Sequence, residues 1–302
     1  MDEPSFLLRA VTWHIGSGDA LLTGWLLMMS SVVLYHGCGV RRSRTTLISI
    51  LALVWLILAD ALSVPVLVLV GIATAATMYR NWFYRERQPA TSRTVAIIGA
   101  IIFLIPIGVE LPYHWPLRPV APAAKSVAVI GDSVSAGLNA KDVTWPRQLA
   151  QSTGRVIYDA SQQGATVKSA LTQLEQLNGR GEVLWIEIGG NDILESLPVS
   201  VYAERLEALL QSARNKYRTI VMMEIPAPPG GGGYGVTQRV LSKKYDIPLV
   251  PKRQFLAVLT SAGSTQDGVH LANAGHQRMA ALVQKTLGWT NGQQPGEYQR
   301  IE

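Results

Sequence analysis

The stretch "VAVIGDSVSAG", residues 127–137, decides the fold of the larger part of the chain. It begins with an apolar run typical of a buried strand. Gly131, Asp132 and Ser133 then end the run with residue types that favour turns and helix caps. The stretch therefore predicts a reactive-looking serine where a buried strand gives way to a helix.

The same organisation repeats along the rest of the chain. Apolar strand-like runs alternate with segments of helical period, which is the pattern of βαβ units and a parallel sheet. The predicted strands are 126–130, 155–161, 183–189, 219–225 and a weaker 247–250. This pattern predicts a three-layer α/β domain, in which ligands bind outside the carboxyl ends of the strands.

Polar clusters interrupt or follow these strands at four places. They are "GDS" (131–133), "QQGAT" (162–166), "GGND" (189–192) and "DGVH" (267–270). Each cluster alone is common turn or capping chemistry. The order of the four clusters and their positions after the strands are what indicate a function.

In that order the four clusters resemble the four blocks of the SGNH hydrolase superfamily, the GDSL esterases and lipases, over essentially all of residues 125–288. "TWPRQLA" and "GGND" resemble the bacterial lysophospholipase, thioesterase and arylesterase branch, while "GDSV" replaces the usual "GDSL". The resemblance implies a flavodoxin-like αβα fold with a central parallel sheet. It also implies a nucleophilic Ser133, an Asp267–His270 pair, and an oxyanion hole built from Ser133, Gly164 and Asn191.

The chemistry needs these residue types. A serine hydroxyl is a poor nucleophile until a base takes its proton, and the base in turn needs a group that orients its ring. Asp267 and His270 lie three residues apart and can approach one another locally, whereas the fold must bring them to Ser133. Ser135 and His276 are the rival nucleophile and base. Only one of the two serines can point at the oxyanion donors from a strand-to-helix turn, and we expect it to be Ser133; for His276 we expect a surface or helix-packing role.

The loop "PPGGGGYG" (228–235) follows the fourth predicted strand and is expected to overhang the carboxyl edge of the sheet. We hypothesise that it forms part of the acyl or alcohol pocket, with Gly190, Gly232 and Tyr234 contacting substrate. No group of His, Asp and Glu has metal-ligand spacing, so neither a metal nor another cofactor is expected. Basic residues form no stripe, which argues against nucleic acid.

The first third of the chain has a different composition. The whole sequence is 48% hydrophobic and only 16% charged, and residues 20–111 hold almost every long uncharged run. A membrane-spanning helix needs roughly 20 apolar residues. We therefore expect residues 1–111 to be a membrane region with four spans, at about 20–40, 46–60, 63–79 and 94–110. Three spans would leave residues 46–79 as one overlong segment with Asp60 and Pro65 at its middle.

Basic loops indicate the orientation, because Lys and Arg near the ends of spans stay in the cytoplasm. With four spans, "RRSR" (41–44) and "YRNWFYRERQPATSR" (79–93) fall on the same side. This places the catalytic domain outside the cytoplasm, in the periplasm if the chain lies in a bacterial inner membrane. Residues 112–124 are a predicted Pro-rich linker, and 289–302 a poorly ordered polar tail.

The sequence thus predicts a membrane-anchored serine esterase that acts through an acyl-enzyme, with the bilayer as a partner. Its expected substrate is a lysophospholipid or an O-acylated cell-envelope glycan. Two alternatives remain open at this point. The acyl group could pass to a glycan hydroxyl, or the domain could be a non-catalytic subunit of a membrane assembly.

Overall fold

The computed structural model describes residues 5–37, 42–58, 64–83, 102, 104–139 and 142–301. They form two compact units. One consists of Trp115–Ala227 and Tyr234–Glu302 with residues 5–13, and the other of His14–His114 with Pro228–Gly233. The glycine-rich segment therefore groups with the second unit.

Helices dominate the N-terminal third. They are α1 (Phe6–Gly16), α2 (Asp19–Gly37), α3 (Arg42–Leu58) and α4 (Val64–Phe83). The last three coincide in position with the first three predicted spans, and residues 104–110 of the fourth are also helical. Asp60 lies outside the described residues, whereas Pro65 lies in the first turn of α4. Within the described ranges, no helix combines the length and the apolar character needed to cross a membrane.

The helical unit has an unusual distribution of polar and apolar side chains. Ser31, Thr45 and Ser49 are fully buried. The Ser31 hydroxyl lies 2.7 Å from that of Ser49 and donates to the Thr45 carbonyl oxygen at 3.0 Å. Large apolar side chains of the same helices point outward, among them Leu26, Val33, Leu47, Ile57 and Ile72.

A parallel sheet forms the centre of the other unit. Its strands, within the described part of the chain, are β1 (Ser126–Gly131), β2 (Val156–Asp159), β3 (Val183–Glu187), β4 (Thr219–Met223), β5 (Leu249–Val250) and β6 (Tyr298–Arg300). Their order is β5-β4-β3-β1-β2-β6, and every pairing is parallel. The five predicted strands are confirmed, most with shorter bounds.

β1 and β3 are the central strands because their sequences are almost continuously apolar. Val127 to Gly131 and all five residues of β3 are buried, as expected of strands covered on both faces. β1 lies between β2 and β3, so the chain reverses its direction across the sheet there. The carboxyl ends of β1 and β3 therefore form the switch point at which such sheets bind ligands.

Helices cover the sheet in two groups. They are α5 (Ser133–Ala136), α6 (Trp145–Thr153), α7 (Val167–Leu177), α8 (Gly190–Leu194), α9 (Val199–Arg214), α10 (Gly232–Lys244), α11 (Lys252–Thr260) and α12 (Asn273–Leu287). α6 and α11 pack against α12, while α7 packs against α9. The predicted three-layer arrangement is therefore present.

The C-terminal tail differs from its prediction. Residues 289–302 were expected to lack regular structure, but β6 pairs with β2 and extends the sheet. Arg300 Nη1 donates to Asp159 Oδ2 at 2.8 Å, and the Tyr298 hydroxyl donates to the same oxygen at 2.8 Å. Asp159 is fully buried, so these two bonds satisfy a carboxylate that would otherwise be costly to bury.

Candidate active site

Ser133 is the first residue of α5 and is separated from the end of β1 only by Asp132. Asp132 caps the helix, because its Oδ1 accepts the Val134 N–H at 2.9 Å. Gly137 N–H donates to the Ser133 carbonyl oxygen at 3.0 Å and closes the turn. As the first helical residue, Ser133 has a backbone N–H with no acceptor inside the helix. That N–H and its own hydroxyl are both available at the end of the sheet.

Ser135, the rival nucleophile, is fully buried and bonded on both sides. Its hydroxyl donates to Glu187 Oε2 at 2.7 Å and accepts the Trp145 Nε1–H at 3.0 Å. These contacts join α5 to β3 and α6. Ser135 is therefore a structural residue.

Gly164, in the loop after β2, and Asn191, in the helix α8 that follows β3, come together. The Asn191 Nδ2–H donates to the carbonyl oxygen of Ala165, the neighbour of Gly164, at 2.8 Å. An amide nitrogen carries two hydrogens, so one remains for another acceptor. A second hydrogen bond joins the same two segments, since Asp192 Oδ2 in α8 accepts the N–H of Val167, the first residue of α7, at 2.8 Å.

Two glycines of these blocks have backbone conformations that side chains disfavour. Gly164 has φ +69°, and a Cβ there would meet open space. Gly189 has φ +120°, and a Cβ there would lie 2.8 Å from the Tyr202 hydroxyl oxygen. Glycine at 164 therefore leaves the backbone accessible to a ligand, and glycine at 189 lets α8 begin at Gly190.

Asp267 and His270 form a local pair in the loop before α12. Asp267 Oδ2 lies 2.6 Å from His270 Nδ1, and Asp267 Oδ1 accepts the His270 backbone N–H at 2.9 Å. A bridge between Thr265 and Leu271 closes the loop around them. Partial burial acts to raise the pKa of Asp267, but the hydrogen bonds from His270 and Val269 hold that pKa at about 2. Asp267 is therefore ionised near neutral pH and fixes the imidazole ring.

Buried carboxyl groups surround the serine turn. Burial raises the pKa of Asp132 to about 6, while the Val134 N–H and the charge of His270 act in the opposite direction. Burial also raises the pKa of Glu187 well above its ordinary value, and the Asp132 charge adds to this effect.

The Asp132 carboxyl gives a testable pH dependence of stability. Its pKa is higher in the folded chain than the ordinary 3.8, so the folded state binds its proton more tightly. The free energy of unfolding should therefore fall as pH rises between about 4 and about 6, by up to about 3 kcal/mol from this group. Asp132→Asn keeps a good cap residue and should remove that part of the slope.

The measurement is urea unfolding of the full chain at pH 4, 5, 6 and 7, followed by tryptophan fluorescence. The difference between wild type and Asp132→Asn reports the titration of Asp132 together with its effect on Glu187, whose pKa is raised in part by the Asp132 charge. Equal slopes for the two proteins would contradict the prediction.

The remaining candidate residues from the sequence are His276, Gly190 and Gly232. His276 is buried on α12, and its Nδ1 accepts the Trp145 backbone N–H at 3.2 Å, so it serves packing as expected. Gly190 borders Asp132, because a Cβ on it would lie 3.2 Å from Asp132 Oδ2. Gly232 is the first residue of α10.

Tyr234 is buried to the same extent as Ser133. Its hydroxyl donates to the Leu197 carbonyl oxygen at 2.5 Å, and its ring packs edge-on against Tyr202. The contact between Tyr234 and substrate stays a prediction. Among the described residues, no three His, Cys, Asp or Glu side chains form a group that could hold a metal ion.

Comparison with known proteins agrees with this arrangement. The model of the GDSL-like Lipase/Acylhydrolase family matches residues 129–278, which contain all four polar clusters. This domain belongs to that family. The GDSL domain is accordingly a serine ester hydrolase.

Relatives of the GDSL domain include two characterised bacterial proteins. Thioesterase 1/protease 1/lysophospholipase L1 of Escherichia coli K12 is 29% identical over 161 residues, 50% of this chain and 77% of that protein. Esterase TesA of Pseudomonas aeruginosa is 28% identical over 180 residues, 55% of this chain and 89% of that protein. Among solved structures, the psychrotrophic esterase EstA from Pseudoalteromonas sp. has 22% identity and a TM-score of 0.49, covering 54% of this chain and 96% of that one.

Sequence reasoning missed two features of the GDSL domain. It did not assign Glu187 to the support beneath Ser135, although an acid inside an apolar strand is a visible signal. It also missed β6, whose Tyr298 and Arg300 lie beyond the family match. The polar tail offers no apolar pattern that would have predicted a strand.

Proposed function

We propose that Ser133 attacks the carbonyl carbon of a carboxylic ester while His270 Nε2 takes the hydroxyl proton. The 2.6 Å contact between Asp267 Oδ2 and His270 Nδ1 carries this proposal. It occupies one ring nitrogen, so that the other, Nε2, can act as the base. The ionised Asp267 then stabilises the imidazolium that forms.

The tetrahedral intermediate carries a negative oxygen that needs preorganised donors. The backbone N–H groups of Ser133 and Gly164 and the second Nδ2–H of Asn191 supply them. When the intermediate collapses, the C–O bond to the alcohol breaks and His270 returns its proton to the leaving oxygen. Water then attacks the acyl-enzyme with the same base, releasing the acid and restoring the Ser133 hydroxyl.

Covalent labelling tests the assignment of the nucleophile. A fluorophosphonate should form one P–O bond to Ser133 with loss of fluoride, and peptide mass spectrometry should locate the adduct there. Ser135 is the internal comparison, because its buried hydroxyl should remain unmodified. Labelling at another serine, or none at a large excess of reagent, would refute the assignment.

The substrate is proposed to be a lipid ester or an O-acylated cell-envelope glycan. The names of the Escherichia coli relative, which include thioesterase and lysophospholipase, support an acyl ester of the lipid type. Capture of the acyl group by a glycan hydroxyl in place of water would use the same acyl-enzyme. Adding such an acceptor to the assay separates hydrolysis from transfer.

We also propose that the helical unit anchors the chain in a membrane. Water-soluble helices bury their apolar side chains and expose polar ones. Here Ser31 and Ser49 are buried while Val33, Leu47 and Ile72 are exposed, and Gly24 approaches the Ala52 backbone closely. Small and hydroxyl residues at helix contacts with apolar residues outside are typical of helices packed in lipid.

Extraction of membranes tests the anchor. The full chain should stay in the membrane pellet after an alkaline carbonate wash and leave it only with detergent. Release by carbonate would overturn the proposal. A reporter fused after Glu302 tests the orientation, and we expect activity outside the cytoplasm because Lys and Arg cluster in the loops predicted to be cytoplasmic.

A further inference from the structure

A polar cleft of about 320 Å³ opens in the GDSL domain next to the serine turn. Its lining includes Ala136, Asp142, Arg147, Gln163, Tyr298 and Arg300. None of these residues has a role in the acyl transfer steps described above. Most of the named side chains are polar or charged, so the cleft is unlike an acyl-chain pocket.

The cleft borders the reacting groups. Ala136 ends the one-turn helix that Ser133 begins, so the two residues are about 4.5 Å apart along its axis. Gln163 directly precedes Gly164, and its Nε2 donates to the carbonyl oxygens of Gly137 at 2.8 Å and Leu138 at 3.0 Å. A group attached to an ester bound at Ser133 is therefore within reach of the cleft.

Charges in the cleft are balanced. Arg300 is paired with the buried Asp159 beneath it. Arg147 lies 5.0 Å from the centre of the Tyr298 ring, and Asp142 supplies one carboxylate to the same cleft. The cleft thus offers guanidinium donors together with carboxylate and amide acceptors, without a net charge. Hydroxyl groups both donate and accept, so a polyhydroxylated molecule matches this set.

Part of the cleft lies outside the family match. That match ends at residue 278, whereas Tyr298 and Arg300 come from β6. The parallel pairing of β6 with β2 fixes these side chains beside the serine turn, because residue Arg300 is opposite Asp159 in the register. The extra strand thus adds polar groups to an otherwise complete hydrolase domain.

We propose that this cleft binds the alcohol portion of the ester, and that this alcohol is polyhydroxylated. The proposal rests on the ester hydrolysis proposed above and names its leaving group. Sugars and glycerol both carry the several hydroxyl groups that such an alcohol requires. Bound hydroxyls would hold the alcohol while the C–O bond breaks, and would leave the acyl group on the opposite side of the carbonyl.

The test compares esters that share an acetyl group and differ in the alcohol: p-nitrophenyl acetate, glycerol monoacetate and a glucose monoacetate. Arg147→Ala should lower kcat/KM about tenfold for the polyhydroxylated esters, because one charged hydrogen bond is lost. It should leave p-nitrophenyl acetate within about twofold. Arg155→Ala is the matched control, since Arg155 stacks 5.5 Å from the Trp289 ring outside the cleft. It should change none of these values.

The two hydroxylated esters distinguish a glycan from a lipid as the source of the alcohol. A loss of kcat/KM in Arg147→Ala that is confined to the glucose ester indicates a glycan, and a loss confined to the glycerol ester indicates a lipid. Equal losses on all three substrates, or no loss on either hydroxylated ester, would overturn the subsite. So would a preference for a phosphorylated glucose acetate that requires Arg147, because it would indicate an anion site.

Failure of the proposed hydrolysis is distinguishable, since the wild type would then cleave none of the esters. In that case calorimetric binding of glucose monoacetate to Ser133→Ala, with and without Arg147→Ala, decides the subsite. Binding that depends on Arg147 supports it, and its absence overturns it.

Discussion

Ser133→Ala should lower kcat for ester hydrolysis by about 10⁴-fold or more, because the proposed acyl-enzyme forms on the Ser133 hydroxyl. The measurement uses p-nitrophenyl esters from acetyl to palmitoyl, with and without a glycan acceptor. For the wild type, the chain-length profile identifies the acyl group, and turnover that requires the acceptor would indicate transfer. The folded structure should persist in the variant, since the Asp132 cap and the α5 turn do not use the Ser133 hydroxyl.

Ser135→Ala is the matched control for this experiment. It removes a hydroxyl two residues away that bonds to Glu187 and to Trp145. We expect a loss of stability of about 1–3 kcal/mol, because buried polar partners lose their bond. Ser135-dependent labelling, or a Ser133→Ala enzyme with near-normal turnover, would show that the nucleophile is misassigned.

His270→Ala should lower kcat/KM by about 10⁴-fold near neutral pH, because the Ser133 hydroxyl then has no base. The carboxylate of Asp267 should remain but lose the imidazole hydrogen bond that lowers its pKa. The pKa of Asp267 should therefore rise toward its ordinary value. Steady-state kinetics and titration of that carboxyl by NMR measure the two effects independently.

His276→Gln serves as the histidine control. His276 is 2% exposed and accepts a backbone hydrogen bond at the start of α6, so the substitution should affect stability rather than the chemical step. If His276→Gln abolished turnover in a folded protein while His270→Ala did not, the assigned base would be wrong.

The sequence predicted those parts of the domain whose determinants are local. β1 and β3 have continuous apolar runs, so these strands could be identified from the pattern alone. The pair of Asp267 and His270 was implied by the family resemblance, and it can form locally because the two residues are only three apart. The placement of Ser133 at a strand end follows from the same local pattern. These are the features on which the proposed chemistry depends.

Features that depend on distant residues were not predictable. The hydrogen bond between Ser135 and Glu187 joins residues on different elements, and no sequence pattern near either residue predicts it. β6 is a short edge strand of polar residues that is fixed by Arg300 and Asp159, a pair far apart in the chain. The contact between the rings of Tyr234 and Tyr202 is of the same kind, because the glycine-rich segment before Tyr234 does not indicate it.

The buried acid Glu187 beneath the serine turn affects the electric field at the reacting carbonyl. A charged carboxylate there, added to that of Asp132, would oppose the formation of a negative oxygen on the substrate. Because burial strongly favours the neutral form of Glu187, a retained proton reduces that opposing field. The carboxyl can therefore hold Ser135 in place without adding a full negative charge close to the oxyanion hole.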